Sequence, residues 1–128
     1  MTNELMSLTA VTVLTAVMWM PYVLNVIAVR GIKDAVGYPE DPEPMSGWAS
    51  KMKAAHSNGV ENLVVFAALV LIANAAGVST AGTVMACQVY FWARVVHVLS
   101  YTFAVPWVRT LSFATGFGCQ VVLALALL

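Results

Sequence analysis

The chain has 128 residues, of which 61% are hydrophobic and only 9% are charged. An ordinary soluble domain carries about 25% charged residues, so this composition predicts an integral membrane protein. Six basic and six acidic residues cancel to a formal net charge of zero. The charge balance therefore offers no basic surface for nucleic acid, and we expect no nucleic-acid partner.

The predicted fold is all-α: four transmembrane helices in a single membrane domain that covers residues 1–128. The first span, 5–29, contains Pro21 and Asn25 but has the length to cross a bilayer. The start of the chain lacks the positive region of a signal peptide. Three prolines among acidic residues predict an irregular loop over 31–47. The remaining spans are predicted at 48–76, 81–104 and 106–128, with Ala114 and Gly118 as a small-residue pair suited to close helix contact in the last.

The second span begins with a polar stretch that must lie below the membrane surface. Only residues 63–76 are strictly apolar, and this is too short when a crossing needs about 20 residues. The crossing must therefore include Asn58 and Glu61, which share one helical stripe and should face protein. His56 points roughly the other way and is expected at a structural or subunit contact.

The third span carries a matching polar stripe at helical spacing, formed by Tyr90, Arg94, His97 and Tyr101. At about 1.5 Å per residue, Glu61 and Arg94 lie at similar depths from the same membrane face, so the two are predicted to pair. Such a pair either locks the second helix to the third or belongs to a ligand site, and the pattern leaves both readings open.

Several cations converge at one rim of the predicted bundle. Arg30 ends the first span and Arg109, followed by Thr110, begins the fourth, while Glu61 is the one acid expected inside. This excess suits a small anionic ligand bound between helices; the alternative for Arg30 and Arg109 is snorkelling to the interface. No histidine has the neighbours needed for a metal site, and we expect no metal. Cys87 and Cys119 are expected as reduced, apolar helix residues.

The distribution of basic residues predicts the orientation. Lysines and arginines flank the 30–53 loop and the 104–109 corner, whereas both termini and the 77–80 turn have none. By the positive-inside rule the loop and the corner are cytoplasmic, and both termini lie on the opposite side.

Two stretches of the chain resemble signatures of one family. Ala-Ala-His-Ser-Asn-Gly-Val-Glu-Asn at 54–62 is similar to the second-helix signature of the membrane-associated proteins in eicosanoid and glutathione metabolism (MAPEG). Arg94-Val-Val-His-Val-Leu-Ser-Tyr101 resembles the third-helix pattern Arg-x-x-His-x-x-x-Tyr. Arg109 and Arg30 match the fourth-helix and first-helix arginines. The order and spacing of these motifs within four spans make the combined resemblance, which covers nearly the whole chain, specific to a bacterial-type member.

The resemblance implies a homotrimer in the bacterial inner membrane that uses glutathione as a co-substrate between adjacent subunits, near the cytoplasmic face. A lipophilic electrophile or hydroperoxide would reach glutathione from the bilayer, so the expected activity is a glutathione-dependent transferase or peroxidase. The implied catalytic residues are Arg109, which would hold the thiolate, and Thr110. The implied glutathione-binding residues are Arg30 from the neighbouring subunit and Asn58, Glu61, Arg94, His97 and Tyr101.

The chain also departs from the family pattern. Members commonly carry an arginine beside the second-helix histidine position, where this chain has Ala54, Ala55 and Ser57. Lys51 lies on a different face from Glu61, and Lys53 only flanks it. This loss favours the alternative function, a non-catalytic membrane protein that binds lipids and presents them to a partner. A small transporter is a third class, but no discontinuous helix pair marks a midplane site.

Overall fold

The computed structural model describes all residues from Met1 to Leu128, and the chain is helical apart from short connections. Six helices follow in order: α1 Asn3–Val17, α2 Trp19–Arg30, α3 Ile32–Val36, α4 Gly47–Ala76, α5 Ala81–Thr102 and α6 Pro106–Leu127. Helices α1 and α2 together form one segment, Asn3–Arg30, in which Met18 is the one residue outside the helices. The long helices pack as a bundle in which α5 contacts α1, α4 and α6. The all-helical membrane bundle predicted from composition is confirmed.

Three segments are long and apolar enough to cross a membrane: Asn3–Arg30, Gly47–Ala76 and Pro106–Leu127. The third predicted span, α5, does not reach this apolarity, although its 22 residues extend about 33 Å at 1.5 Å per residue. The physical reason is its position: α5 has ten buried residues, including Arg94 and His97. Because three helices cover it, α5 can carry polar side chains that a lipid-facing helix would not tolerate.

The observed helix ends refine the predicted boundaries. The first span is two helices rather than one, because Pro21 has no N–H to donate to the carbonyl of Val17 one turn earlier. The five-residue α3 lies inside the predicted irregular loop, before the first of its prolines. The third span ends at Thr102 rather than at residue 104, since Ala104 adopts a left-handed backbone with φ of 58°. Gly77 ends α4 in a left-handed backbone conformation with φ of 71°, which a glycine adopts readily because it has no side chain.

The main hydrophobic core occupies the half of the bundle that contains the chain termini. It combines Phe66 and Tyr90, whose stacked rings have centroids 3.9 Å apart, with six smaller buried residues: Val11, Val70, Ala86, Cys87, Cys119 and Leu123. Both cysteines are free and buried, so they serve as small apolar residues. The opposite half holds only the smaller cluster of Met18, Ala55 and Val98. The α5–α6 corner lies in that less densely packed half.

A buried carboxylate that the sequence reading overlooked ties the start of α1 to the α4–α5 turn. Glu4 is only 3% exposed, and its Oε1 accepts hydrogen bonds from Ser79 Oγ at 2.8 Å and Thr83 Oγ1 at 2.7 Å. The expectation that Glu61 is the one acid inside the bundle is therefore wrong. Glu4 is the acid buried within the chain, and Glu61 is exposed. The N-terminus and the 77–80 turn thus share one end of the bundle.

We expect Glu4→Leu to destabilise the bundle by about 2 kcal/mol, because two hydroxyl donors lose their acceptor. Glu4→Gln should cost much less, since the amide oxygen keeps the acceptor role and the second carboxylate oxygen of Glu4 has no partner to lose. SDS-induced unfolding in mixed micelles measures both variants, with the exposed loop change Glu40→Leu as control. Equal losses for the leucine variants at positions 4 and 40 would contradict this role.

Candidate functional site

A buried cation without a carboxylate partner lies at the centre of the bundle. Arg94 is 6% exposed, and its Nη2 donates to Asn58 Oδ1 at 2.9 Å. The predicted Glu61–Arg94 pair is not formed within the chain: Asn58 is the partner, and Glu61 faces outward. Asn58 lies one turn closer to the start of α4 on the same stripe, which is why helical spacing alone did not separate the two residues.

Two glycines of the neighbouring helices lie directly against the polar stripe of α5. An ideal Cβ on Gly59 of α4 would lie 3.6 Å from Arg94 Nη2, and one on Gly116 of α6 would lie 3.5 Å from Tyr90 Cε2 and 4.0 Å from Arg94 Cδ. A Cβ at either position would make an ordinary van der Waals contact, whereas a side chain larger than alanine would press on the polar stripe of α5. The close contact in α6 therefore lies at Gly116, not at the predicted pair of Ala114 and Gly118, both of which are exposed.

Amide side chains that the sequence reading did not assign hold Asn58 in place. Asn62 Nδ2 donates to the carbonyl oxygen of Asn58 at 2.9 Å and to its Oδ1 at 3.3 Å. Gln120 of α6 donates from Nε2 to the carbonyl oxygen of Asn62 at 3.3 Å. The signal that could have found Gln120 is its isolation as the one amide in the apolar sequence of α6. These bonds link α4 to α6 just behind the site.

Five of the eight predicted site residues line one cavity of about 270 Å³ at the α5–α6 end of the bundle. The lining residues are Asn58, His97, Tyr101, Arg109, Thr110 and Phe113. The walls are mainly aromatic: the His97 ring lies edge-on to Tyr101 at 5.7 Å and tilted against Phe113 at 6.3 Å. His97 Nδ1 is buried and has no hydrogen-bond partner within the chain.

Arg109 supplies the cavity with a free cation. Its guanidinium carbon lies 4.8 Å from the centroid of the Tyr101 ring, a distance at which the ring face attracts the charge. The side chain is exposed and has no acid beside it in the cavity lining. Thr110 points its hydroxyl back to the carbonyl oxygen of Pro106 at 3.1 Å, so it must release that bond before it can donate to a sulfur.

Three predicted site residues lie outside this cavity. Arg94 is behind it, bonded to Asn58. Glu61 is exposed on the outer surface of α4. Arg30 ends α2, where its Nε donates to the carbonyl oxygen of Glu43 at 2.6 Å. His56 lies on the opposite face of α4, as the spacing predicts, with Nδ1 2.7 Å from Tyr22 Oη.

A second cavity of about 360 Å³ adjoins the first and shares Tyr101 and Arg109 with it. The other lining residues are Lys51, Ala104, Val105 and Pro106. The helix α6 begins at this cavity without a side-chain cap, so the positive end of its dipole adds to the two cations. The left-handed Ala104 in the wall is costly for a residue with a side chain, and the corner is held by a Val105 N–H to Ser100 carbonyl bond of 2.8 Å.

Two apolar cavities lie beside the polar end on the outer surface of the chain. One, of about 390 Å³, lies between α5 and α6 and is lined by residues that include Trp92, Val96, Val108 and Leu111. The other, of about 400 Å³, lies beside the α1–α2 junction and includes Met18, Trp48 and Leu99. Both fall within the size range of small-molecule sites. No group of three or more His, Cys, Asp or Glu side chains lies together in a way that could hold a metal ion.

The fold and this site define a membrane helical bundle with a cationic, aromatic-walled cavity at one end and apolar cavities beside it on the outer surface of the chain. The model of the MAPEG family matches residues 9–128, so the chain belongs to the MAPEG family. No curated protein and no solved structure matches the chain significantly.

Proposed function

We propose that this protein is a membrane-embedded, glutathione-dependent transferase or peroxidase that acts on a lipophilic electrophile or hydroperoxide. The observation that carries the proposal is the cavity in which Asn58, His97, Tyr101 and Thr110 surround the free guanidinium of Arg109. Membership of the MAPEG family supports the same conclusion, because that family includes glutathione-dependent enzymes.

The proposed chemistry follows from the thiol. A free thiol has a pKa near 8.5 and only its thiolate is a good nucleophile. The guanidinium of Arg109 would stabilise the thiolate and so lower the thiol pKa towards neutral pH. In conjugation, the sulfur forms a bond to the electrophilic carbon, and the leaving group departs with the electron pair. In peroxide reduction, two glutathione molecules are oxidised to the disulfide while the hydroperoxide is reduced to an alcohol and water.

Asn58, Glu61 and the buried stripe would bind the peptide part of glutathione. Arg94 is a buried cation with a neutral partner, and an anionic co-substrate nearby would offset the cost of burying its charge. His97 Nδ1 has no partner within the chain and would gain one from the peptide. The lipophilic substrate would approach from the bilayer through the apolar cavity between α5 and α6, which contains Val108, the neighbour of Arg109.

A homotrimer would complete the site. Glu61 is exposed in the middle of a helix that is apolar enough to span the membrane, and a carboxylate at that depth needs a partner. A neighbouring copy of the chain would provide protein rather than lipid against this face. Arg30 lines neither polar cavity around Arg109 in its own chain and would serve the site of the neighbour. We further propose an inner-membrane location, with the 30–53 loop and the 104–109 corner in the cytoplasm.

Detergent-solubilised protein provides the direct test. Calorimetric titration should detect saturable glutathione binding, and turnover should appear with a chlorinated dinitroaromatic electrophile or a lipid hydroperoxide. S-methyl glutathione, which has no ionisable thiol, is the matched ligand control and should bind without turnover. Failure to bind glutathione at millimolar concentration would rule the proposed function out.

The alternative is a non-catalytic member that binds and presents lipids. Two observations favour it: the missing arginine at positions 54–57, and two apolar cavities that are each larger than the polar cavity around Arg109. Under this alternative the protein would retain lipid through purification and show no turnover with any electrophile. The same titration distinguishes the two functions.

A further inference from the structure

Two cations without partners face one cavity on the α4 side of Arg109. Lys51 in the second turn of α4 and Arg109 in α6 both line it, together with Tyr101 and the backbone of the α5–α6 corner. No acidic residue contributes to the lining, and neither cationic head group is hydrogen-bonded within the chain. A cavity lined by two uncompensated positive charges is suited to an anionic group such as a carboxylate.

The Lys51 amine lies beside the first turn of α4. Side chains on a helix lean towards its N-terminus, and Lys51 Nζ lies 3.8 Å from the position of an ideal Cβ on Gly47, four residues earlier. The amine thus extends along the first turn of α4, and Lys51 lines the same cavity as the α5–α6 corner and Arg109. Lys53, two residues further on, points elsewhere and does not line the cavity.

The two polar cavities lie in a row with a shared wall. Asn58 belongs to the first, Lys51 to the second, and Tyr101 and Arg109 to both. Glutathione has its groups in a corresponding order: an amino-terminal γ-glutamyl end, the cysteine thiol in the middle and a glycine carboxylate at the other end. If Arg109 holds the thiol and Asn58 the amino end, the glycine carboxylate extends into the cavity with Lys51.

We propose that Lys51 binds the glycine carboxylate of glutathione and supplies the cationic contact that positions 54–57 lack. This inference rests on the proposed function. It assigns a specific role to a residue that helical spacing set apart from Glu61. Lys51 lies seven residues before Asn58, about two turns along the same side of α4, so it would serve the opposite end of the same ligand.

A thermodynamic cycle between residue and ligand tests the assignment. Glutathione and its ethyl ester at the glycine carboxylate are each titrated into wild type, Lys51→Ala, Lys51→Arg and Lys53→Ala in detergent. Lys51→Ala should raise the Kd for glutathione by roughly 5- to 10-fold, the range for one charge-assisted contact. Lys51→Arg should retain most of the affinity, and Lys53→Ala should change it by less than about twofold.

The ester decides whether Lys51 contacts that particular carboxylate. Wild type should bind the ester more weakly than glutathione, by about the factor that Lys51→Ala loses, whereas Lys51→Ala should bind the two ligands equally. If Lys51→Ala discriminated between them as strongly as wild type, or if Lys51→Ala and Lys53→Ala were equivalent, the assignment of Lys51 would be overturned while the proposed function stood. If wild type bound neither ligand, both would fall.

Discussion

Replacing Arg109 with alanine should lower kcat/KM for glutathione conjugation at pH 7 by about 30-fold or more. A thiol with a pKa near 8.5 is only about 3% ionised at that pH, so loss of the guanidinium leaves little thiolate to react. The side chain is exposed and makes no hydrogen bond within the chain, which means that the fold should not change. Steady-state turnover in detergent measures the effect, and the ultraviolet absorbance of bound thiolate reports ionisation directly.

The pH dependence of the activity deficit distinguishes activation of the glutathione thiol by Arg109 from a role of Arg109 in binding alone. If Arg109 acts on the thiol, the deficit of Arg109→Ala should shrink as the pH rises through 8.5, because free thiol then ionises without help. Arg109→Lys should be intermediate, since it keeps the charge but loses the planar fork. Lys33→Ala removes an exposed cation from the short helix α3 and is the matched control for the change in net charge. A deficit that is constant with pH would place Arg109 outside the activation step.

Replacing Asn58 with leucine should destabilise the bundle by about 2–3 kcal/mol, because Arg94 would be left as a buried charge without its acceptor. SDS-induced unfolding in mixed micelles gives the free energy. The double variant Asn58→Leu with Arg94→Met should lose at least about 1 kcal/mol less than the sum of the single variants, since removing the charge also removes the penalty.

The companion cycle uses Glu61, the partner that helical spacing suggested. Glu61→Gln and Arg94→Met should be additive within about 0.5 kcal/mol, as expected for side chains without direct contact. A coupling between Glu61 and Arg94 as large as that between Asn58 and Arg94 would contradict the observed geometry. The comparison is matched, because both candidates lie on one stripe of α4, one turn apart.

Much of the architecture was predictable from local pattern. A chain with 9% charged residues and apolar segments of membrane length has few alternatives to a helical bundle, since backbone groups in lipid must be bonded internally. The inward stripe of Tyr90, Arg94 and His97 was also predictable, because a lipid-facing helix would not carry it. The helix break at Met18 could be anticipated from Pro21, although the exact helix ends could not.

Which polar side chains bond to each other inside the bundle was not predictable in the same way. Asn58 and Glu61 share a stripe, and a charge rule favours Glu61 for Arg94, yet the amide is the group in contact. Glu4 lies in a short polar start that composition marks as exposed, but Ser79 and Thr83, far along the chain, bury it. Within the chain, Gly116 rather than Gly118 contacts Tyr90 and Arg94 of α5, since the rotation of α6 about its own axis depends on all of its neighbours.

Hydrophobic periodicity and the burial cost of polar groups in lipid thus determined the membrane class, the approximate spans and which helices carry inward polar faces. These are properties of single helices in a uniform solvent, and they can be read from spacing alone. Only the tertiary structure decided that Arg94 bonds to Asn58, that Glu61 faces outward and that Lys51 and Arg109 share a cavity. Those outcomes depend on the relative rotation and depth of packed helices, which differ by less than one turn between the competing arrangements.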